Sequence, residues 1–378
     1  MKEQVAPKPA SARRTCAATA RARTGKPARN EPSGVVVLFS APEGADPGSI
    51  SPADRETAAV ARDVARVLRE KSLYQVALVS AESEVAPKLA PYPPRDWVVF
   101  NLFEGLDGRV GPDGRSIDDE SPAALMIESL GYRFTGADGH ALALALNKAR
   151  TKRLLAKAGV STPPWAVFRS ASQVTPGHVR NLPFPLIVKP VAEDSSVAID
   201  DGAVVADLAE LKARVGFVTE QCRQQALAEA FIDGREINVA IWGNPPEALP
   251  LAEIDLSAIS EPNKRIVGYA AKWNEETWEY SHTPAVCPAQ LAEEPARIVR
   301  ETALRAWSIV TRCWGYGRVD LRLKGETAYV LEVNPNPSIA SDAGFARSAR
   351  AAGLTYEQMI LKILSFALED RRADFSSC

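Results

Sequence analysis

Apolar residues recur along the chain with two periods, and the alternation between them predicts an α/β protein. Val35-Val36-Val37-Leu38-Phe39 is an unbroken apolar run of the kind that forms a buried parallel strand. Ser51-Pro52 with Asp54 then signals a helix start: a capping hydroxyl, a proline suited to the first turn, and an acid near the positive helix end. Val60, Val64, Val67 and Leu68 follow at helical spacing. Residues 74–80 and 97–103 read as two further strands, separated by lengths that suit parallel crossovers. The pattern predicts a small doubly wound α/β domain over residues 34–140.

Beyond it, a helix is expected over 141–158, stopped by Gly159 and the Pro163-Pro164 pair. Strands are expected over 184–189, 227–232, 237–242, 318–323 and 328–333, with a helix around 206–215. A helix over 294–313 would carry Val299, Ala303, Ala306, Val310 and Cys313 on one face. The last helix, 355–368, is amphipathic through Met359, Ile360, Ile363 and Ala367. No internal repeat is visible. Residues 1–33 have too few large apolar side chains to offset their ordering entropy, so a disordered tail is expected there.

Composition narrows the function classes. The 378 residues are 46% hydrophobic and 24% charged, ordinary values for a globular chain with several cores. A formal net charge of -2 gives no electrostatic reason to expect a nucleic-acid or membrane partner. No apolar run approaches the roughly 18 residues needed to span a bilayer. The first ten residues lack the apolar stretch of a secretory signal. These features predict a soluble, cytoplasmic protein. The five cysteines form no C-x-x-C pair and suggest neither a zinc site nor a disulfide framework. None of the three histidines, His140, His178 and His282, sits beside a nucleophile motif, which argues against Ser-His-Asp hydrolysis.

Candidate chemistry concentrates late in the chain. Gly317-Arg318-Val319-Asp320-Leu321 is followed by Tyr329-Val330-Leu331-Glu332-Val333-Asn334-Pro335-Asn336-Pro337. Strand side chains alternate, so Arg318 and Asp320 share one face, and Glu332 and Asn334 share another with Leu331 and Val333 behind them. Paired strands would gather an arginine, two carboxylates and a carboxamide, oxygen donors suited to a hard cation such as magnesium. Each strand alone is equally the pattern of an amphipathic hairpin with a solvated salt bridge. Lys189 closes an apolar strand before Pro190, while Lys148 and Lys272 precede and follow it, a set suited to clamping polyphosphate. Between Glu193 and Ala198, Ser195 and Ser196 lie in a turn able to cradle phosphate or to serve as an ordinary polar loop.

In this order, the motifs resemble the D-alanine–D-alanine ligase family of ATP-grasp enzymes from about Gly34 to Leu368. The matching blocks are Val98 to Leu102, Tyr132 to Gly136, Asn147-Lys148 through Thr151-Lys152 to Pro163, Phe184 to Val197, Glu229 to Glu236, Lys272, and Gly317 to Pro337. The resemblance implies an ATP-grasp fold, with residues 141–230 as central and 231–378 as C-terminal subdomain behind the N-terminal domain. It implies that Lys148, Lys189, Ser195 and Ser196 face the nucleotide. Glu229, Ala230, Phe231 and Ile232 would form the adenine hinge, with Glu236 on the ribose. Asp320, Glu332 and Asn334 would hold two magnesium ions, with manganese as a substitute. Lys272 would reach the phosphates, and Arg318 would stabilise charge in the reaction.

The implied activity joins a carboxylate to an amine, but the substrate end departs from the family at several positions. Glu104-Gly105 stands where the family has a histidine–glycine pair, and Asp194 and Ala198 replace glycines of the phosphate loop. Trp273 replaces a tyrosine, Ala343-Gly344 a serine–leucine pair, and Ser338 a glycine. ATP use follows from the resemblance; D-alanine as substrate does not. Glu56 and Glu104 are candidate partners for a substrate ammonium group, Glu56 being equally readable as a solvated helix residue. A small-molecule carboxylate and amine, both amino acids, are the implied substrates, and a homodimer is a possible assembly. A nucleotide-binding regulator without turnover and a phosphotransferase acting on a hydroxyl are the competing readings.

Overall fold

The computed structural model describes residues 31–40, 52–82, 84–104, 120–193, 198–268 and 276–369. The first sheet is built from β1 (Gly34–Ser40), β2 (Gln75–Ala81), β3 (Trp97–Leu102) and β4 (Arg133–Phe134) in the order β2-β1-β3-β4, all parallel. Helices α1 (Pro52–Lys71), α2 (Val85–Leu89) and α3 (Ser121–Ser129) connect them. β1 is central and all seven of its residues are buried, which explains its unbroken apolar run. Val35 and Val37 pack with Val60, Val64 and Leu68 of α1, while Val36 and Leu38 pack with Leu89, Ile127 and Phe134.

The next segment contains α4 (Gly139–Leu146), α5 (Lys148–Lys157), β5 (Trp165–Phe168), α6 (Pro176–Val179), β6 (Leu186–Pro190), β7 (Val204–Val205), α7 (Leu208–Gln221) and β8 (Ala226–Ala230). The helix expected over 141–158 is therefore two helices. Asn147 leaves helical geometry at φ -86°, ψ 88°, and its side chain accepts from the backbone N–H of Arg150, capping α5. The break frees the Lys148 N–H to bond Val191 O at 3.0 Å, which ties the start of α5 to the end of β6. The strands form an antiparallel sheet in the order β5-β8-β6-β7. Leu186, Val188, Ala226 and Ala228 pack against Leu211, Val215 and Val218 of α7. Alternation leaves Ile187, Lys189, Leu227 and Glu229 for the opposite face.

The third sheet runs β12-β11-β9-β13-β14, with β10 attached to β9. Its strands are β9 (Arg235–Trp242), β10 (Glu247–Ala248), β11 (Ala252–Ile254), β12 (Ala285–Val286), β13 (Tyr316–Lys324) and β14 (Thr327–Pro335). The accompanying helices are α8 (Trp278–His282), α9 (Glu293–Thr311), α10 (Gly344–Ala351) and α11 (Tyr356–Leu368). Val299, Ala303, Ala306 and Val310 of α9 cover Val319, Leu321, Val330 and Val333. Gly317 permits this approach, since a Cβ there would lie 2.1 Å from the Trp307 ring. Val330, not Leu331, joins the core: the register shifts beside Asp320, so Leu331 is an extra residue and the two-residue period slips by one.

The chain end returns to the first sheet. Met359, Ile360 and Ile363 of α11 share a core with Val35, Val64, Phe100, Trp242 and Tyr316. Just beyond β14, Asn336 adopts φ 49°, accepts from Ala137 N at 2.9 Å and donates to Glu120 at 3.1 Å. Those bonds fix the segment after β4 to the end of β14. No described helix is long and apolar enough to cross a membrane.

Candidate active site

β13 and β14 do pair, with Arg318 opposite Asn334 and Asp320 opposite Glu332. Asp320 collects four hydrogen bonds. Arg318 donates through Nε at 2.7 Å and Nη2 at 2.9 Å, Asn238 from β9 at 2.7 Å, and Asn334 at 2.8 Å. Asn334 Nδ2 also lies 3.3 Å from Glu332 Oε1. Burial works against the Arg318 cation, but Asp320, Glu332 and Glu236 outweigh it and raise its pKa. Arg318 is therefore a permanent positive charge held in a fork by a carboxylate.

Cations lie beside this set, Lys148 and Lys152 on α5 and Lys189 on β6. Lys148 Nζ lies 3.9 Å from Glu332 and donates to Glu193 O. Lys189 Nζ lies 2.7 Å from Glu229 Oε1, and Lys152 Nζ lies 2.5 Å from Glu229 Oε2. Lys152 and Glu229 are each only 1% exposed. Lys152 also donates to Thr162 at 2.7 Å, and both contact Val330 O, so this cluster joins the hinge strand to β14. Burial pushes the Glu229 carboxyl up, but the two lysines outweigh it and hold it below the usual range. The lysines move in opposite directions. For Lys189 burial is outweighed by Glu229, Glu332 and Glu236, leaving its pKa raised. For Lys152 burial prevails over Glu229, and the nearby charge of Lys189 adds to the lowering.

The hinge leaves β8 with Ala230 N bonded to Pro164 O at 2.8 Å and Phe231 N to Pro185 O at 2.9 Å. Ile232 follows. Arg322 sits over the Phe231 ring at 5.7 Å and pairs with Glu236 at 2.7 Å. At the opposite rim, Ser338 donates to Glu56 at 2.8 Å and Thr57 donates to Glu104 at 3.1 Å. Glu104 is raised to about 7, chiefly by withdrawal of its carboxyl from water, opposed by the Thr57 bond and supported by the charges of Glu56 and Asp54. By surface area, however, Glu104 is an exposed residue, in reach of solvent and substrate. Glu56, Glu104 and Ser338 thus converge although they lie far apart in sequence. Lys272, Ser195 and Ser196, with Trp273 and Asp194, lie outside the described residues.

The family model for the D-Ala–D-Ala ligase C-terminus matches residues 154–365. A D-alanine–D-alanine ligase of Nitrosospira multiformis is 34% identical over 263 residues, covering 69% of this chain and 78% of its own. The chain belongs to the D-Ala–D-Ala ligase family. An uncharacterised protein, y4sG, of Sinorhizobium fredii is 30% identical over 272 residues, covering 71% of this chain and 74% of its own. A D-alanine–D-alanine ligase of Bacillus anthracis, crystallised with ATP, superposes at a TM-score of 0.68 with 20% identity, covering 89% of this chain and 97% of that one. That likeness shows the ATP-grasp fold. As a D-Ala–D-Ala ligase family member, the chain is an ATP-dependent carbon–nitrogen ligase forming an amide bond.

Asp320, Glu332 and Asn334 offer hard oxygen donors on one surface, and the chemistry of that set fits magnesium once the Asn334 amide turns its oxygen inward. Among the described residues no group of three or more His, Cys, Asp or Glu side chains is placed to hold a metal. Three residues of the site escaped the sequence reading: Lys152, Asn238 and Arg322. Each had a faint signal. Lys152 is four residues after Lys148 on one helix, Asn238 two after Glu236, and Arg322 two after Asp320, the spacings that keep neighbours on one face.

Proposed function

We propose that the chain uses magnesium-bound ATP to activate the carboxyl group of one amino acid and joins it to the amino group of a second. The observation that carries this reading is the facing of Arg318, Asp320, Glu332 and Asn334 by Lys148 and Lys189. A carboxylate oxygen attacks the γ-phosphorus, the bond to the ADP oxygen breaks, and an acyl phosphate forms. The amine nitrogen then attacks the carbonyl carbon; phosphate leaves, the nitrogen gives up a proton, and an amide remains. Bound magnesium supplies charge neutralisation for the phosphoryl group. Lys148 and Lys189 offset phosphate charge, Lys272 adds a third cation, and Arg318 stabilises the oxyanion of the tetrahedral intermediate. The backbone of Ala230, Phe231 and Ile232 receives the adenine, Glu236 the ribose, and Ser195 and Ser196 the phosphates. Glu229 acts by neutralising Lys152 and Lys189. The intact charge set favours turnover over a purely regulatory role.

Glu56 and Glu104 receive the ammonium group of the first amino acid, with Ser338 orienting Glu56. Two acids there, Glu104 standing where the family has a histidine, favour an amino acid as the first substrate. The enzyme works in the cytoplasm, with a homodimer as its proposed assembly. Magnesium-dependent ADP release across a panel of D- and L-amino acids, with mass analysis of products, tests the reading. Free phosphate and an amide are expected; a phosphorylated product, or no release with any pair, overturns it.

Two narrower results are expected. Glu56→Gln should raise the KM for the first amino acid about tenfold with little change in kcat, since a charged hydrogen bond contributes roughly 1.5–3 kcal/mol. An unchanged KM removes Glu56 from the site. In the unaltered enzyme, Glu104 loses its charge as the pH falls through about 7. The KM for the first amino acid should therefore rise on going from pH 8 to pH 6, and a flat profile would exclude Glu104 as an ammonium partner.

A further inference from the structure

A cavity of about 330 Å³ opens between the start of α5 and the far ends of β5 and β8, away from the hinge. Its lining includes three arginines, Arg150, Arg153 and Arg169, all exposed, and Asn147, Gln173 and Gln225, together with Val167 and Val191. It contains no acid. None of the three arginines pairs with a carboxylate among the described residues; Arg153 only overlies the Trp165 ring at 5.9 Å. The apolar residues Ala149, Val191 and Leu227 pack together on the side toward Lys189 and Glu229, separating the cavity from the nucleotide-facing lysines.

We propose that this cavity is a second ligand site, for a small organic anion carrying a phosphate or several carboxylates. Guanidinium forks match such oxygens bidentately, and three arginines around one concavity supply charge that a single carboxylate would not balance. The amides complete the recognition of hydroxyl or carbonyl groups beside the anion. Occupancy reaches the nucleotide lysines through the backbone. Asn147 in the wall caps α5 directly before Lys148, Val191 O accepts from Lys148 N at 3.0 Å, and Val191 N donates to Gln225 O at 3.0 Å. An anion that draws Arg150 and Arg153 inward therefore shifts the turn of α5 that carries Lys148, and the site is regulatory.

The test is calorimetric titration of the whole protein, saturated with magnesium and ADP, using glycerol 3-phosphate in one arm and citrate in the other. A prior titration with ADP alone checks the nucleotide site separately, so failure there is distinguishable from failure of the cavity. Submillimolar binding in one arm identifies phosphate or carboxylate as the preferred group. R153Q/R169Q should weaken that binding at least tenfold while basal ADP release without the anion stays unchanged; the conservative pair R153K/R169K should recover part of it. The anion should also change the KM for ATP at least twofold in the unaltered protein and not in R153Q/R169Q. No binding in either arm, or equal binding by R153Q/R169Q, overturns the proposal.

Discussion

Replacing Glu229 by alanine should destabilise the protein by about 3–5 kcal/mol, the range for removing one member of a buried ion pair. Its carboxylate is the shared counter-charge of Lys152 and Lys189, whose side chains are 1% and 8% exposed. Without it, two ammonium groups remain sealed from water beside each other. Urea unfolding measures the loss, and a change below about 1 kcal/mol would mean the lysines find other partners. Glu229→Gln should restore shape without charge and recover little. The pH dependence has a definite sign. The Glu229 pKa is lower folded than its ordinary value of 4.5, so its contribution is present above that value and disappears as the pH falls through the lower folded one. The unaltered protein should therefore lose stability in acid below about pH 4.5 more steeply than Glu229→Gln.

Arg318→Lys should lower kcat by about 10²–10³, the usual cost of losing one preorganised donor to a developing oxyanion. Arg318 is fixed by two parallel bonds to Asp320, and a lysine cannot reproduce that fork. ADP binding should persist, because the hinge from Ala230 to Ile232 and the lysines Lys148 and Lys189 are untouched. Steady-state ADP release measures kcat and calorimetry measures ADP binding. Retention of more than a tenth of kcat would remove Arg318 from the transition state. Loss of ADP binding would instead assign it to holding the metal set together through Asp320.

Much of the site was readable as spacing. Arg318 and Asp320, and Glu332 and Asn334, had to share faces because strand side chains alternate, whatever the rest of the chain did. Lys189 at the end of an apolar strand was equally visible. Lys152 was not, because a lysine on a helix is ordinarily a solvated charge and nothing local says that Glu229 will lie 2.5 Å away. The break at Asn147 was hidden too: the apolar pattern runs across it, and only the cap on Arg150 N and the bond from Lys148 N to Val191 O favour two helices. Leu331 was misassigned to the core because a bulge cannot be read from alternation.

By itself the sequence determined the local plan: which segments become strands or helices, and which polar side chains share a face. These follow from backbone periods that each segment carries alone. Only the tertiary structure decided which faces meet. It set the register of β13 on β14, sealed Glu229 between two lysines, drew Glu56, Glu104 and Ser338 to one rim, and closed the first core with α11. Those outcomes depend on burial and pairing between distant parts of the chain, where the free energy of each charge is fixed by neighbours its own segment does not contain.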